Sequence, residues 1–539
     1  MTIDSGKDIV DSPRKGRDSR NREGIMARYR PYVPEQDRFL PVSLSRQIQP
    51  GTFEYTLHHL VDRAVDLKVF ESKYHNDNDG ASAIHPAILL KVVLLAYSRG
   101  VISSRRIAQC CEENVLFMAL SADTRPHFTT IAEFVSTMRE QVISVFRDIL
   151  TVCWTEGLIG RQMFAVDGCK ISSNCAKEWS GTTVQLRKKA QKLEASVRAL
   201  MERHQEEDER GEAPEHREQE KRRIKKLESK AKKIQGWLAK HEERIGRQGK
   251  PVMSNITDNE SAKMPSGHGV IQGYNGIAVA DSLHQVVVDA QAVGEGNEAS
   301  SLPKAIAGVR ETFAVMGEKR DIFEQVVLTA DNGFHSEQSV RGVLEGGVEA
   351  YVADNGFRKR DPRFSGVQEY KKKSIDSAHT VRARKYFQAE DFRLEEGTDT
   401  LVCPAGKRMR CRCPNYQSGP LGYRGRTYMA CAEDCAFCEL RARCIRNPKT
   451  RARQVTKLQK GLRHGKKSFT QQMIERFDTP RGRYFYSRRL GTVEPVFANI
   501  RSTLGMDRFT LRGRNKVDIQ WKLFCVVHNI GKIRRFGGL

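Results

Sequence analysis

Apolar runs that end on a carboxylate set the frame of this chain. Met163-Phe164-Ala165-Val166 is of β-strand length and ends on Asp167, after which Gly168 frees the backbone to turn. Val326-Val327-Leu328-Thr329-Ala330 ends the same way on Asp331. Between them, residues 274–280 read as a strand, Asp281-Ser282 as a turn and residues 285–288 as a returning strand, which predicts a hairpin. A helix over 299–316 follows, and after Asp331 come a helix over 336–344 and a strand over 348–352. Strand, hairpin, helix, strand, helix, strand predicts an α/β unit with a mixed sheet.

Outside that unit the period changes. Leu57, Leu60, Val61, Ala64 and Val65 recur at helical spacing, and Pro86 opens a strongly apolar helix that runs to Tyr97. Arg99-Gly100 closes that helix and Ser103-Ser104-Arg105-Arg106-Ile107 opens another. Thr130-Ile131-Ala132-Glu133 has capping-box spacing after Arg125-Pro126. These helices read either as a plain scaffold or as a DNA-binding domain whose basic helix starts, Arg105 and Arg106 among them, seek phosphate. Farther on, Leu186, Ala190, Leu193, Val197 and Leu200, then Ile224, Leu227, Ala231, Ile234 and Leu238, step by three and four like a coiled-coil seam. Gly211-Glu212-Ala213-Pro214 breaks the seam into the two arms of a helical hairpin, either a solvated insertion or a contact for DNA or a second subunit.

The division that follows has six parts. Residues 1–25 are expected to form a disordered basic tail, with Met26 a candidate start, and residues 26–160 an all-α DNA-binding domain. Residues 161–183 and 251–357 are the first parts of a core whose element order is that of the ribonuclease-H-like fold, if Asp167 closes the first strand. Residues 184–250 are the hairpin insertion, 358–480 a basic Cys-rich insertion, and 481–539 the closing core helices, over 487–504 and 517–530.

Composition narrows the partner. The 539 residues exceed what one core serves, and Lys+Arg 91 against Asp+Glu 66 leave a net charge of +25. Such an excess favours a polyanion, most simply nucleic acid. No apolar segment precedes Glu23, and the longest apolar stretch, 87–96, contains Lys91 and is too short to span a bilayer. An intracellular place is expected, with no membrane partner and with the 13 cysteines as thiols or metal ligands rather than disulfides.

Two carboxylates on neighbouring strand ends and a third on a packed helix offer hard oxygens to Mg2+ or Mn2+, and two such ions serve phosphodiester cleavage and strand transfer. Asp167, Asp331 and Glu494 are the candidates, though each alone also suits a turn or a helix surface. Ala353-Asp354-Asn355-Gly356-Phe357 repeats Ala330-Asp331-Asn332-Gly333-Phe334, which makes Asp354 a rival for the second position. Cys435 and Cys438, with two residues between them, Cys444 and the upstream Cys403-Pro404-Ala405-Gly406-Lys407 offer thiolates to a tetrahedral structural Zn2+. Cys411, Cys413 and Cys431 are spare candidates, and unligated thiols are the other reading. Cys169 and Cys175 read as packing residues.

Taken together these stretches resemble the DDE transposases of bacterial insertion sequences, in particular the group catalogued under the number eleven-eighty-two. The resemblance rests on Ala83-Ile84-His85-Pro86 with the Leu-rich helix after it, Ser103-Ser104-Arg105-Arg106-Ile107, Ala165-Val166-Asp167-Gly168 and Ala330-Asp331-Asn332-Gly333-Phe334. Its most specific part is Tyr486-Ser487-Arg488-Arg489-Leu490-Gly491-Thr492-Val493-Glu494-Pro495-Val496-Phe497, with Arg501 seven residues after the glutamate. His528-Asn529-Ile530-Gly531-Lys532 looks like the closing helix, and the likeness extends from Met26 onward.

The resemblance implies a pair of Mg2+ or Mn2+ ions on Asp167, Asp331 and Glu494, and it favours Asp331 over Asp354 by the order of strands. It also implies DNA contacts from Tyr486, Arg501 and Arg489, with Arg488 a rival because Arg489 precedes Glu494 by five positions where the wider pattern has four. The implied reaction binds the inverted-repeat ends of an element, cuts the 3′ strands and joins the new 3′-hydroxyls to double-stranded target DNA. Pairing two ends implies at least a homodimer, in a bacterial, cytoplasmic, nucleoid-associated protein. Two other readings remain: a metal-dependent nuclease of the same fold without strand transfer, and a transposase-derived DNA-binding protein without catalysis.

Overall fold

The computed structural model describes residues 43–74, 82–211, 217–246, 249–267, 269–364, 386–395, 397–418, 423–463 and 466–538. The expected tail at 1–25 and Met26 lie outside them.

The central sheet has six strands, β1 (Met163–Ser172), β2 (Ala262–Ser266), β3 (Gly269–Asp281), β4 (Val287–Val293), β5 (Val327–Ala330) and β6 (Ala350–Val352). β3 runs antiparallel to β1, and β2 and β4 pair antiparallel with its other edge. β5 runs parallel to β1 and β6 parallel to β5. This mixed sheet, flanked by helices, is compatible with a ribonuclease-H-like core. β1 does not end at Asp167 as its apolar run suggests, because pairing with β3 carries it on to Ser172. What ends beside Asp167 is the parallel ladder with β5, whose last pair is Val166 and Ala330. The start of β1 is pinned by the buried Asp281, whose carboxylate accepts the Gly160 and Arg161 N–H groups at 3.0 and 3.1 Å and tolerates the left-handed Arg161 (φ 54°).

One apolar core runs from Leu57 to Ile533, so the N-terminal helices, the sheet and the closing helix are packed as one body. The helix Arg514–Phe536 joins them. Trp521 lies against Gly276 of β3, where an added Cβ would come within 3.0 Å of the indole, and its Nε1 donates to Ile277 O at 2.9 Å. Asn529 accepts from Val287 N at 2.8 Å and donates to Val287 O at 2.9 Å, while Asp518 accepts from Ala292 N at 2.9 Å. These side chains satisfy the free edge of β4, a need that explains buried polar residues in an otherwise apolar helix. On the N-terminal side, Phe524 stacks on Tyr97 at 4.6 Å. The helix Phe128–Thr137 begins earlier than the Thr130 spacing suggests, because His127 Nδ1 accepts from Thr129 N and caps it.

The helices Thr183–Glu209 and Arg217–Leu238 pack together over Leu186, Ala190, Ile234 and Trp237, with Ile256 beneath them; residues 212–216, part of the expected break, lie outside the described residues. A second, antiparallel sheet of six strands between Arg393 and Lys467 closes its own small core on Phe392, Leu401, Met409, Tyr428 and Val455. Among the described residues no helix is long and apolar enough to cross a membrane.

The closing helix also makes stability depend on pH. His528 is 2% exposed, with Nε2 on Gln285 O and Nδ1 against Asn499 Nδ2, both at 2.9 Å. A ring that donates from Nε2 and accepts at Nδ1 is neutral, and burial holds its pKa down at about 4. The folded chain therefore binds fewer protons than the unfolded chain, and stability is lost as pH falls from the ordinary histidine value towards 4. The cost of His528 at pH 5 is expected to be about 2 kcal/mol. Urea melts at pH 7.5 and pH 5 check this, with His528→Gln expected to flatten the difference.

Candidate functional site

Asp167 and Asp331 are each the first residue past the last parallel pair of β1 and β5, Val166 with Ala330, so they stand side by side on adjacent strands about 5 Å apart. Each aspartate accepts the N–H of a following glycine, Gly168 for Asp167 and Gly333 for Asp331, both at 2.9 Å. Burial pushes the Asp167 carboxyl above its ordinary range, and the Asp331 charge adds to that; the Arg489 charge and the Gly168 N–H oppose it.

A third carboxylate, Glu298, faces both aspartates from the short turn Glu298–Ser300 between β4 and the helix Leu302–Val315. Burial raises its carboxyl above the ordinary range, the hydrogen bond from Asn275 Nδ2 (2.7 Å) opposes, and the Asp331 and Asp167 charges add. Sequence reasoning missed it. The only signals were the glycines at 168 and 333, whose space it fills, since its own surroundings, Gly294-Glu295-Gly296-Asn297, have no period.

The helix Pro480–Ala498 crosses this end of the sheet. Arg489, 6% exposed, points inward, with Nη1 3.1 Å from Asp167 Oδ2 in an ion pair that lacks the alignment of a hydrogen bond. Tyr486 packs between Phe357 and Phe477 with its ring 5.7 Å from the Arg489 guanidinium. Burial raises its hydroxyl pKa, the Arg489 charge opposes, and the Asp331 charge adds. Glu494 is exposed, which follows from helix geometry: five residues from Arg489 turn it about 140° away from the inward direction. Arg488 is exposed too and donates to Tyr484 Oη at 2.9 Å. Arg501, exposed on the single π-helical turn Asn499–Thr503, lies near enough to Cys169 to oppose the burial that pushes that thiol up to about 12.

Asp354 follows β6, one strand farther from β1, and is engaged by Arg360 Nη1 at 3.0 Å and Gly356 N at 2.8 Å. Arg105 and Arg106 are exposed in the first turn of the helix Ser104–Glu113, Arg105 lying 5.0 Å over the Phe128 ring.

Residues 402–534 match the family model of a transposase DDE domain, and residues 42–137 that of a transposase domain (DUF772). The two matches support a DDE-type transposase of insertion sequences. Together they cover less than half of the chain, and Asp167, Asp331 and Glu298 lie between them, whereas Tyr486, Arg489 and Glu494 fall inside the DDE match. No curated protein matches the chain.

A DDE transposase domain implies DNA as substrate and the use of a divalent metal. The residues present fit such an ion: the gathered donors are carboxylate oxygens, with the unpartnered Asn275 Oδ1 beside them. They are not closed around a point. Among the described residues, only His204, Glu207 and Glu220 on the paired helices bring three ligand atoms within 4.8 Å of one another, and Arg203 pairs with both of those glutamates.

The DDE match also contains the seven cysteines between 403 and 444. Cys403, Cys435, Cys438 and Cys444 line one cavity, and Cys411, Cys413 and Cys431 do not line it; no three of the four sulfurs lie within 4.8 Å of one another. Lys407 N donates to Cys403 Sγ at 3.3 Å across a tight turn in which Gly406 takes φ 79°. Burial raises the Cys444 thiol pKa, the Arg453 charge opposes, and the three other thiols add.

Proposed function

We propose that this chain is a transposase of the group catalogued under the number eleven-eighty-two, which binds the inverted-repeat ends of its element, cuts the 3′ strands and joins the 3′-hydroxyls to target DNA. The pairing of Asp167 with Asp331 just past the end of the parallel ladder between β1 and β5, under a helix that brings in Arg489, is the observation that carries this reading. Asp167 and Asp331 hold Mg2+ or Mn2+, two ions in the working complex, and Glu494 is the further carboxylate that the resemblance implies. When bound, such ions activate the attacking oxygen and neutralise charge at phosphorus.

The chain's own groups do the rest. Arg489, Arg488 and Arg501 take the phosphates beside the scissile bond, because guanidinium groups match phosphate oxygens in pairs. Tyr486, held by Phe357 and Phe477, offers a ring face and a hydroxyl to the backbone. Arg105 and Arg106 contact the element ends from the N-terminal helices. Two ends are brought together by a homodimer on the nucleoid of the bacterial cytoplasm.

The test is Mg2+-dependent cleavage of DNA carrying the element ends, followed by joining to a plasmid. Cleavage with joining supports the transposase reading; cleavage without joining makes the chain a nuclease of the same fold; binding without cleavage makes it a DNA-binding protein.

A structural Zn2+ on Cys403, Cys435, Cys438 and Cys444 belongs to the same proposal. The purified chain is expected to release about one zinc per chain on thiol modification. Cys438→Ser is expected to lose that zinc and to lower the melting point. Release of no zinc by the wild type leaves these four as plain thiols.

A further inference from the structure

We propose that Glu298 is a metal-holding carboxylate of the Asp167–Asp331 site, additional to those named above, an assignment that rests on the metal-dependent reading just given. Its carboxylate fills the space over the glycine that follows each aspartate. A Cβ added at Gly168 would come within 2.9 Å of Glu298 Oε1, and one at Gly333 within 2.5 Å of Oε2. Neither glycine has the positive φ that would itself demand glycine. The space demands it. Both glycines leave room for the same third carboxylate, and any side chain at either position would push that carboxylate out.

Two buried polar groups point to a ligand at this place. Asn275 is fully buried on β3, and its Nδ2 donates to Glu298 Oε1 at 2.7 Å. A carboxylate only accepts, so the amide oxygen must face the other way, and there Oδ1 is buried with no hydrogen-bond partner. It lies 2.7 Å from where a Gly168 Cβ would sit, a point that is also 2.9 Å from Glu298 Oε1. An orphaned acceptor beside a carboxylate suits a cation. Arg489 is the second group: 6% exposed, with Nε and Nη1 free of hydrogen bonds and Nη1 already 3.1 Å from Asp167. Positive charge is drawn into the site, and the guanidinium supplies it without completing its own bonds. Carboxylates from Asp167, Asp331 and Glu298 with the Asn275 oxygen form a hard, all-oxygen donor set suited to Mg2+ or Mn2+.

The test is calorimetric titration of Mn2+ into the full chain without DNA, for wild type, Glu298→Gln, Gly333→Ala and Asp167→Asn, with the metal-free melting point measured alongside. Glu298→Gln is expected to weaken Mn2+ at least about tenfold while keeping or raising the metal-free melting point, since a partly buried like charge has been removed. Gly333→Ala keeps every carboxylate but displaces Glu298, and is expected to weaken Mn2+ as well. Wild-type affinity in Glu298→Gln with weakened binding in Asp167→Asn overturns the assignment and leaves the metal reading standing. A lower metal-free melting point with unchanged Mn2+ affinity marks a structural role and overturns it too. No Mn2+ binding by wild type, or wild-type affinity in Asp167→Asn, overturns the metal reading and this assignment with it.

Discussion

Asp331→Asn is expected to lower Mg2+-dependent strand cleavage at least about 1000-fold, roughly 4 kcal/mol of transition-state stabilisation, while Asp354→Asn leaves it within about twofold. The two aspartates sit in the same five-residue stretch, Ala-Asp-Asn-Gly-Phe, and each follows a parallel strand, so composition cannot separate them. Position does. Asp331 adjoins Asp167 across one strand spacing, whereas Asp354 is two spacings, about 10 Å, from β1. Their partners differ in the same sense. Asp354 is already neutralised by Arg360, whose hydrogen bonds hold its carboxyl below the ordinary range against burial. Among the described residues Asp331 forms no ion pair of its own, and it adds its charge to both Asp167 and Glu298. Asparagine keeps a side-chain acceptor in each variant, for Gly333 N–H at 331 and for Gly356 N–H at 354, so folding should survive and the comparison isolates charge. Loss of cleavage with Asp354→Asn alone would move the second ligand to β6 and sink the site as drawn.

How far the sequence led depends on the kind of signal each residue leaves. The strands of Asp167 and Asp331 were readable because fully buried parallel strands write continuous apolar runs, and the carboxylate that interrupts the run stands out. That Asp167 lies inside β1 was not readable, since the residues after it, Gly168-Cys169-Lys170, are carried as strand by pairing with β3 and not by their own pattern. The helical period of residues 53–155 gave the helices but not their partner. A period marks a buried face without saying what buries it, and here that partner is the helix Arg514–Phe536, about 400 residues away. Glu298 was the hardest to see: it sits in a polar turn and meets the aspartates only through the tertiary fold. Glu494 shows the converse, a residue conspicuous in its motif whose side chain is exposed while Arg489, five positions earlier, faces the carboxylates.

Arg489→Met is expected to lower strand cleavage at least about 100-fold and, in the same protein without DNA, to leave Mn2+ binding unchanged or tighter. On the proposed metal site, Arg489 and the ion compete for one carboxylate, Asp167. Its guanidinium is nine-tenths buried, a costly place for a charge, and Asp167 is its single ion-pair partner among the described residues. Removing it leaves Asp167 without a counter-charge and its carboxyl shifted farther above the ordinary range, which costs stability until a divalent ion restores the balance. Mg2+ should therefore raise the melting point of Arg489→Met by more than that of wild type. Cleavage falls nonetheless, because the guanidinium released from Asp167 by the metal is the group placed to hold a phosphate next to the reacting bond. Arg489→Lys separates charge from shape: an ammonium restores the countercharge but not the paired donors, and intermediate cleavage is expected. Arg488→Met is the control, since Arg488 is exposed over Tyr484; a loss below about tenfold, mainly in DNA affinity, is expected. Weaker Mn2+ binding in Arg489→Met would mean that the arginine organises the carboxylates instead of occupying the place of their cation.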